Sequence, residues 1–594
     1  MRFVPDMQTK SICCICTFII SIFSNSWNLV RSLSPNVLVI LEHGNMKFPV
    51  NKTELNNFVI LKKYENEVII GGRNNIYKMN IEELKPVKNL HWPSNKNDTN
   101  LCLIKGKSKE ECQNYLRIYG TVSNNSILVC GTNAFQPLCR KYQETNSEYV
   151  RVAEFSGEAL CPYSPYHEST FTFVDGELYT ATLDFSGQNP RIYREPVKTK
   201  EENNNQLYNS KFVASFHHDK FVYFFFREES VEHSQKKIYS RVGRVCTNDK
   251  GFGLNEITKR WTSFFKTRIT CRKPGIFPYY FDEIYAVSDI VEKTIKGKKE
   301  KIVYATFTTS NSGIYGSAVC AFRMRDIEKS FEGDFKFQRD RESQWLPLPA
   351  SKVPNPRPGT CSNSTGDISI KVQEFLYSYI HLMNEVVQSF IEEPVYIEVS
   401  NCRITSISVD PQVETLNGMK FDILFLGTNC GKIIKAIYSM GKKVKKIIVE
   451  MIRVAKNNVT ITELLVHKNK LMVITPNEIY SIPKQRCQQN AKTCRDCVGL
   501  QDPYCAWDET MKICTTFEAG KNDTMNFIIQ NIEGDKHFCL YDDANQSDKF
   551  YNVIAIVIVF SIYVLITVCI TFFMNKTENI TFSQFPRRRI IHLQ

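Results

Sequence analysis

The sequence predicts a mainly β chain: a seven-bladed β-propeller over residues 45–484 with a helical insertion on blade five, a small disulfide-rich module over 485–540, and one transmembrane helix over 552–574. Three observations carry this prediction. A strand-turn-strand pattern recurs seven times along the large N-terminal region, six cysteines crowd between Cys487 and Cys539, and an uncharged apolar run lies near the C-terminus.

The recurring pattern is an apolar strand-like run that breaks at small or polar turn residues and resumes as a second run. It begins at Val68, Ile127, Glu177, Val222, Ile302, Ile423 and Leu471. The starts are mostly about 45 to 80 residues apart, the size of a four-stranded propeller blade. The longer gap between Ile302 and Ile423 places an insertion on the fifth blade. In it Phe375, Leu376, Tyr379, Met383, Val386 and Val387 fall on one helical face. Such a stripe ordinarily faces a core, here the propeller, with a binding surface as the alternative. Stacked sandwiches are the competing architecture. Regular hairpins without a Pro/Gly-rich linker argue against them, and a closed ring protects sheet edges that sandwiches leave open. A strand near Phe58 to Leu61 is expected to complete the last blade.

The cysteine cluster surrounds the stretch CRDCVGLQDPYCAWD. A module of about fifty residues buries too little apolar surface to stand alone, so crosslinks must contribute much of its stability, and these need an oxidising compartment. Cys494-x-x-Cys497 also has the spacing of half a zinc site, but no second CxxC pair or HxxxH follows at finger spacing.

Both ends of the chain agree with that compartment. Arg2 and Lys10 precede the apolar run Ile12 to Phe23, and small and polar residues follow, so residues 1–26 read as a secretory leader. The run Val553 to Met574, as a helix, spans about 33 Å, enough for a bilayer core. Asp542, Asp543 and Asp548 precede it and Lys576, Arg587, Arg588 and Arg589 follow, which places the C-terminus in the cytosol. The expectation is a single-pass type I plasma-membrane protein with a juxtamembrane linker (541–551) and a short tail (575–594) too small to be a catalytic domain. Glycosylation sequons at Asn51, Asn97, Asn124, Asn363, Asn458, Asn522 and Asn545 fall outside the cell in this topology.

The formal charge is +13. Without a zinc-finger or RNA-binding signature, and in a secreted chain, nucleic acid is not an expected partner. Lys296, Lys298, Lys299 and Lys301, and Lys442, Lys443, Lys445 and Lys446, read as solvated loops, with a sulfated-glycan contact as the alternative. GxSxG, HExxH, P-loop and dinucleotide motifs are missing from the sequence, so no enzyme, cofactor or metal is predicted. His217-His218 beside Asp219 comes nearest to a catalytic cluster. Adjacent strand residues point to opposite faces, so the two histidines do not share one site.

Longer strings bring a family into view. KGKSKEECQNYLR and LVCGTNAFQPLC within Lys105 to Cys139, CPYSPYHEST, DGELYTATLDFSG, FVYFFFREE, SRVGRVCTNDKGFG, RWTSFFKTRITC, GSAVCAFRMRDIEKSFEGDFKFQ and VPNPRPGTC together resemble the semaphorins, and the layout is similar to the transmembrane semaphorins of invertebrates. The resemblance implies a sema propeller followed by a PSI module. HLM at His381 to Met383 lacks the proline usual in that motif, and QDP at Gln501 replaces the common RDP.

The resemblance also implies disulfides Cys102 with Cys112, Cys130 with Cys139, Cys246 with Cys361, Cys271 with Cys320, Cys487 with Cys505, Cys497 with Cys514 and Cys494 with Cys539. Cys402 and Cys430 lie outside the family pattern. They begin one strand run and end the next, symmetrically about Asn417-Gly418, so an extra hairpin bridge is expected. Cys161 is left over, as a buried thiol or an intermolecular link.

A propeller offers a broad rigid face, suited to binding rather than chemistry. The resemblance implies a guidance ligand in axon guidance and cell migration, displayed as a homodimer and engaging plexin receptors through blades three and four. Candidate contacts are Asp184, Phe185, Gln188, Asn189 and Arg191 in the third-blade loop, with His217 and His218 near the fourth. A receptor signalling inward through its tail and a plain adhesion molecule are the alternatives.

Overall fold

The computed structural model describes residues 38–40, 46–48 and 56–539, apart from 146–147, 200–205, 234–235, 254–258, 296, 311–314, 341, 362–367, 380, 441–443, 455–458 and 519–526, together with Ser561, Val564 and Thr567. The leader, the linker, the tail, Asn51, Asn363, Asn458, Asn522, Asn545 and the rest of the 552–574 run lie outside the described residues. Among those described, no helix is long and apolar enough to cross a membrane. The chain forms two compact units, Met1–Arg486 and Cys487–Gln594.

The first unit is a mainly β propeller. The seven hairpins read from the sequence are the second and third strands of successive antiparallel sheets. The first sheet runs Val59–Lys63, Glu67–Gly71, Asn75–Asn80, Pro86–His91, and the second Leu116–Ser123, Ser126–Gly131, Leu138–Glu144, Tyr149–Ser156. The third is Thr170–Val174, Glu177–Leu183, Pro190–Arg194, Val197–Lys198. The fourth begins Lys211–His218, Phe221–Glu229, Ile238–Cys246, Phe265–Lys273. The fifth is built on Glu283–Val287, Lys298–Thr308, Ser317–Arg323 and Tyr396–Glu398, and the sixth on Ile404–Glu414, Lys420–Thr428, Lys432–Met440 and Val444–Arg453. Glu463–His467, Lys470–Ile474 and Ile479–Pro483 make the seventh.

The second strand of each sheet is buried on both faces, which is why it reads as a continuous apolar run rather than an alternation. Within Phe221–Glu229, Phe224 and Phe226 pack toward the third sheet with Tyr179 and Ile192, while Tyr223 and Phe225 pack toward the fifth with Val303 and Phe307. The last interface returns to the start: Leu465, Met472 and Ile474 of the seventh sheet share a core with Phe58, Val68 and Ile70. Gly120 permits one close approach between sheets, since a Cβ there would lie 2.1 Å from the Phe173 ring.

Two expectations need correction. Phe58 to Leu61 does not complete the last sheet. Val59–Lys63 pairs instead with its neighbour Glu67–Gly71 (Ile60 opposite Ile70), a hairpin whose short connection costs little closure entropy. The strand added to the seventh sheet is Met46–Lys47, opposite Ile479–Pro483. The apolar stripe of the insertion is not one helix either. Helix Ile370–Ser378 holds Phe375 and Leu376, but Met383, Val386 and Val387 lie on strand Leu382–Gln388, parallel to Phe265–Lys273. The chain turns extended at Tyr379, and His381 takes φ +57° before the β-branched pair Val386-Val387, which favours a strand. Phe375, Leu376, Met383 and Val387 still enter the core between the fourth and fifth sheets, while Val386 is exposed. His381 itself is buried, stacked on Phe265 and bonded to the carbonyls of Phe264 and Leu376, both at 2.9 Å.

Four bridges pin the propeller in the pairings the resemblance implies: Cys102–Cys112, Cys130–Cys139, Cys246–Cys361 and Cys271–Cys320. Cys402–Cys430 closes the first hairpin of the sixth sheet from just outside the Ile404–Thr428 pair. Cys161 is a buried free thiol.

The second unit packs helices Cys487–Asn490 and Cys494–Gly499 with a small sheet ordered Ile513–Thr516, Cys505–Asp508, Ile528–Ile529. Bridges Cys487–Cys505, Cys494–Cys539 and Cys497–Cys514 hold it around the buried Trp507, so Cys494 and Cys497 are committed to disulfides rather than zinc.

Candidate protein-interaction surface

The loop from Asp184 to Asn189 joins the second and third strands of the third sheet, and Asp184 organises it. Its Oδ1 accepts from Ser186 Oγ at 2.6 Å and from the backbone N–H groups of Gln188 and Asn189 at 3.4 and 3.3 Å, while Oδ2 accepts from Asn189 Nδ2 at 2.6 Å. Partial burial pushes this carboxyl up, but the bonds from Ser186 and Asn189 outweigh it and hold the group below its ordinary value. Asp184 and Asn189 therefore shape the loop. Gly187, at φ +73°, lets it turn.

What the loop presents is Phe185, 53% exposed at its tip. Its ring stands edge-on to Phe135 at 5.5 Å and Tyr163 at 5.6 Å, a favoured aromatic geometry. Lys105 Nζ lies 5.6 Å from the Phe185 centroid and Lys107 Nζ 4.0 Å from that of Phe135. Both lysines come from the segment tied by Cys102–Cys112. His167 completes the cluster edge-on to Phe135, and burial, reinforced by Lys107, lowers its basicity and favours the neutral ring. Tyr166 is exposed nearby in sequence, Gln188 is exposed, and Arg191 is half-buried opposite Thr182. The result is an aromatic surface rimmed by cations where the second and third sheets meet, and exposed aromatic anchors are what protein interfaces favour.

His217 and His218 are not brought to this surface. They end the first strand of the fourth sheet at the turn Asp219-Lys220, the counterpart of Asp175-Gly176 in the third sheet, whereas the Phe185 loop leaves the other end of its sheet. The two histidines also part from each other. His217 is exposed with Nε2 2.7 Å from the Asp219 carbonyl, and His218 is buried.

Sequence reading missed Phe135, Tyr163, His167, Lys105 and Lys107. The signal was aromatic residues in the turn-rich strings AFQPLC and CPYSPYH, where no strand pattern accounts for them. Of the sequons, Asn97 and Asn124 are exposed, on helix Lys96–Ile104 and at the turn after Leu116–Ser123. Lys298, Lys299, Lys301, Lys445 and Lys446 are exposed on hairpins. Lys296, Lys442 and Lys443 lie outside the described residues.

Residues 286–468 match the Sema domain family and 486–534 the Plexin repeat family. Semaphorin-1A of Schistocerca americana is 40% identical over 540 residues, covering 87% of this chain and 73% of its own. The chain belongs to the semaphorin family. This semaphorin is also 39% identical to Semaphorin-1A of Drosophila melanogaster, of whose length it spans 57%. Among solved structures it superposes on the extracellular domains 1-2 of Drosophila Semaphorin 1b with a TM-score of 0.78 at 38% identity, covering 83% of this chain and 97% of that one. It also superposes on a chain of the solved structure of Drosophila Plexin A in complex with Semaphorin 1b, with a TM-score of 0.77 at 38% identity, covering 82% of this chain and 96% of that one.

Proposed function

We propose that this semaphorin is a cell-surface guidance ligand that binds a plexin receptor through its propeller, as a homodimer, in axon guidance and cell migration. In this reading the seven sheets are the blades of one ring, the segment between the third and fourth strands of the fifth sheet is its insertion, and the run over 552–574 anchors the ectodomain to the membrane. The observation that carries the reading is the solved complex of Plexin A with Semaphorin 1b, a relative 38% identical to this chain.

The Phe185 surface is the proposed contact, with Phe135 and Tyr163 as a rigid floor and Lys105, Lys107 and Arg191 as its charged rim. His217 and His218, at the other end of the sheets, leave the candidate list. A dimer presents two such surfaces in fixed geometry, so it brings two receptor chains together without chemistry. The test is binding of a panel of soluble plexin ectodomains to cells that display the full chain. Saturable binding of at least one plexin, reduced in Phe185→Ala, supports the reading. No binding above untransfected cells, with the chain verified at the surface, contradicts it.

A further inference from the structure

We infer that the first hairpin turn of the fourth sheet and the helix following the third strand of the fifth form a zinc site from His218, Asp219 and Glu328. Among the described residues these are the one set of His, Cys, Asp and Glu side chains whose ligand atoms all lie within 4.8 Å of one another. His218 Nε2 lies 3.4 Å from Glu328 Oε1 and 3.6 Å from Asp219 Oδ2. Bonds of about 2.0 to 2.2 Å to a tetrahedral zinc hold neighbouring donors about 3.3 to 3.6 Å apart, so the spacing of His218 from each carboxylate already suits one ion, and Asp219 and Glu328, within 4.8 Å of each other, close on it by rotation of their side chains.

The site runs from the interior to the surface: His218 is buried, Glu328 half-buried and Asp219 exposed. His218 is 8% exposed, turned inward by strand alternation. Asp219 sits at φ +52° in the two-residue turn that follows, and Glu328 comes from helix Met324–Ser330. Glu328 Oε1 is buried yet receives no hydrogen bond, because its approach to His218 lacks the alignment of one. A carboxylate oxygen withdrawn from water without a donor is costly, and a cation between it and the imidazole removes that cost.

The donor set selects the metal. Calcium and magnesium take oxygen ligands, whereas an imidazole with two carboxylates suits zinc and leaves a fourth position for water. Arg244 and Lys301 act on the cluster and oppose a dication, while Glu332 adds negative charge beside Glu328. The ion would fasten the head of the insertion to the fourth sheet.

The experiment uses the full chain, purified in detergent and stripped with a chelator, then titrated with zinc, calcium or magnesium chloride by calorimetry and thermal unfolding. The wild type is expected to bind one more zinc ion than either His218→Gln or Glu328→Gln, with affinity at that site at least tenfold weaker in each variant. Zinc, but not calcium or magnesium, raises its Tm. Cobalt in place of zinc gives the visible absorption of a tetrahedral site in the wild type alone. Equal zinc stoichiometry and affinity in wild type and variants, or no such cobalt band, overturns the assignment. If His218→Gln does not fold, Glu328→Gln and Asp219→Asn decide, since both keep a neutral polar group at partly or fully exposed positions. A plain His218–Glu328 ion pair predicts loss of stability in the variants without any zinc dependence, and that outcome also overturns it.

Discussion

Glu463 accepts a 2.8 Å hydrogen bond at Oε2 from the backbone N–H of Ile60, joining the first strand of the seventh sheet to the first strand of the first. The closure of the propeller therefore carries an ionisable group. Burial pushes its carboxyl up to about 7, only partly offset by the Ile60 bond and by Lys63 and Arg117.

The folded state holds this proton more tightly than the unfolded chain, where a glutamate titrates near about 4.3. The stabilisation is complete below that unfolded value and is lost as pH rises through about 7. Thermal unfolding from pH 4.5 to 7.5 is expected to show a loss of about 1 to 3 kcal/mol from this group. Glu463→Gln, which keeps an acceptor for Ile60, flattens that slope. An unchanged slope in the variant would assign the pH dependence elsewhere.

A second prediction concerns the fourth sheet, where Glu228 is fully buried and its Oε1 accepts from Arg241 Nε at 2.9 Å and Lys266 Nζ at 2.6 Å. Burial lowers the basicity of Lys266, and Glu228 is the strongest influence restoring it. Glu228→Gln leaves both cations short of a charge partner and should cost about 3 to 5 kcal/mol, read as a lower Tm. A loss below 1 kcal/mol would mean that Glu232, which also pairs with Arg241, suffices for both.

Thiol chemistry gives a third test. Burial pushes the Cys161 thiol above its ordinary range, so maleimide labelling of the native protein should leave Cys161 unmodified, and labelling after denaturation without reductant should modify it. Cys402 and Cys430 should stay unlabelled in both states. Replacing both with serine opens a bridge of sequence separation 28 and should cost about 2 to 4 kcal/mol. Peptide mapping that finds label on Cys402 or Cys430 before reduction contradicts the bridge.

At the proposed receptor surface, Phe185→Ala removes the exposed ring while Asp184 keeps the loop shaped. Plexin affinity should fall about tenfold or more, as for an aromatic anchor at an interface. Arg191→Glu should weaken binding as well, with a slower association at low salt. Surface plasmon resonance reads both. Unchanged affinity in Phe185→Ala, with an unchanged Tm, moves the contact elsewhere.

Much of the propeller was legible because its second and third strands are apolar on both faces and break at polar turns, as at Gly71 to Asn75 and Thr428 to Lys432. The ring closure was not. Met46–Lys47 offers two residues, too few for any periodicity, whereas Phe58 to Leu61 carries a strand pattern that its hairpin neighbour claims first. The insertion misled for a related reason: Phe375, Leu376, Met383 and Val387 all face one core, so their spacing fits a helix although the chain changes to a strand between them. The proposed binding loop was suggested by string resemblance, but its aromatic floor comes from segments about 20 to 50 residues away, and that neighbourhood exists only once the second and third sheets pack. His218 and Glu328 are likewise joined by packing alone.

The most direct test of the account is the affinity of plexin ectodomains for the displayed full chain, wild type against Phe185→Ala. Saturable binding of at least one plexin, weakened about tenfold or more by the substitution while surface display stays equal, is the predicted result. Failure of every plexin to bind a correctly displayed chain would contradict the proposed function.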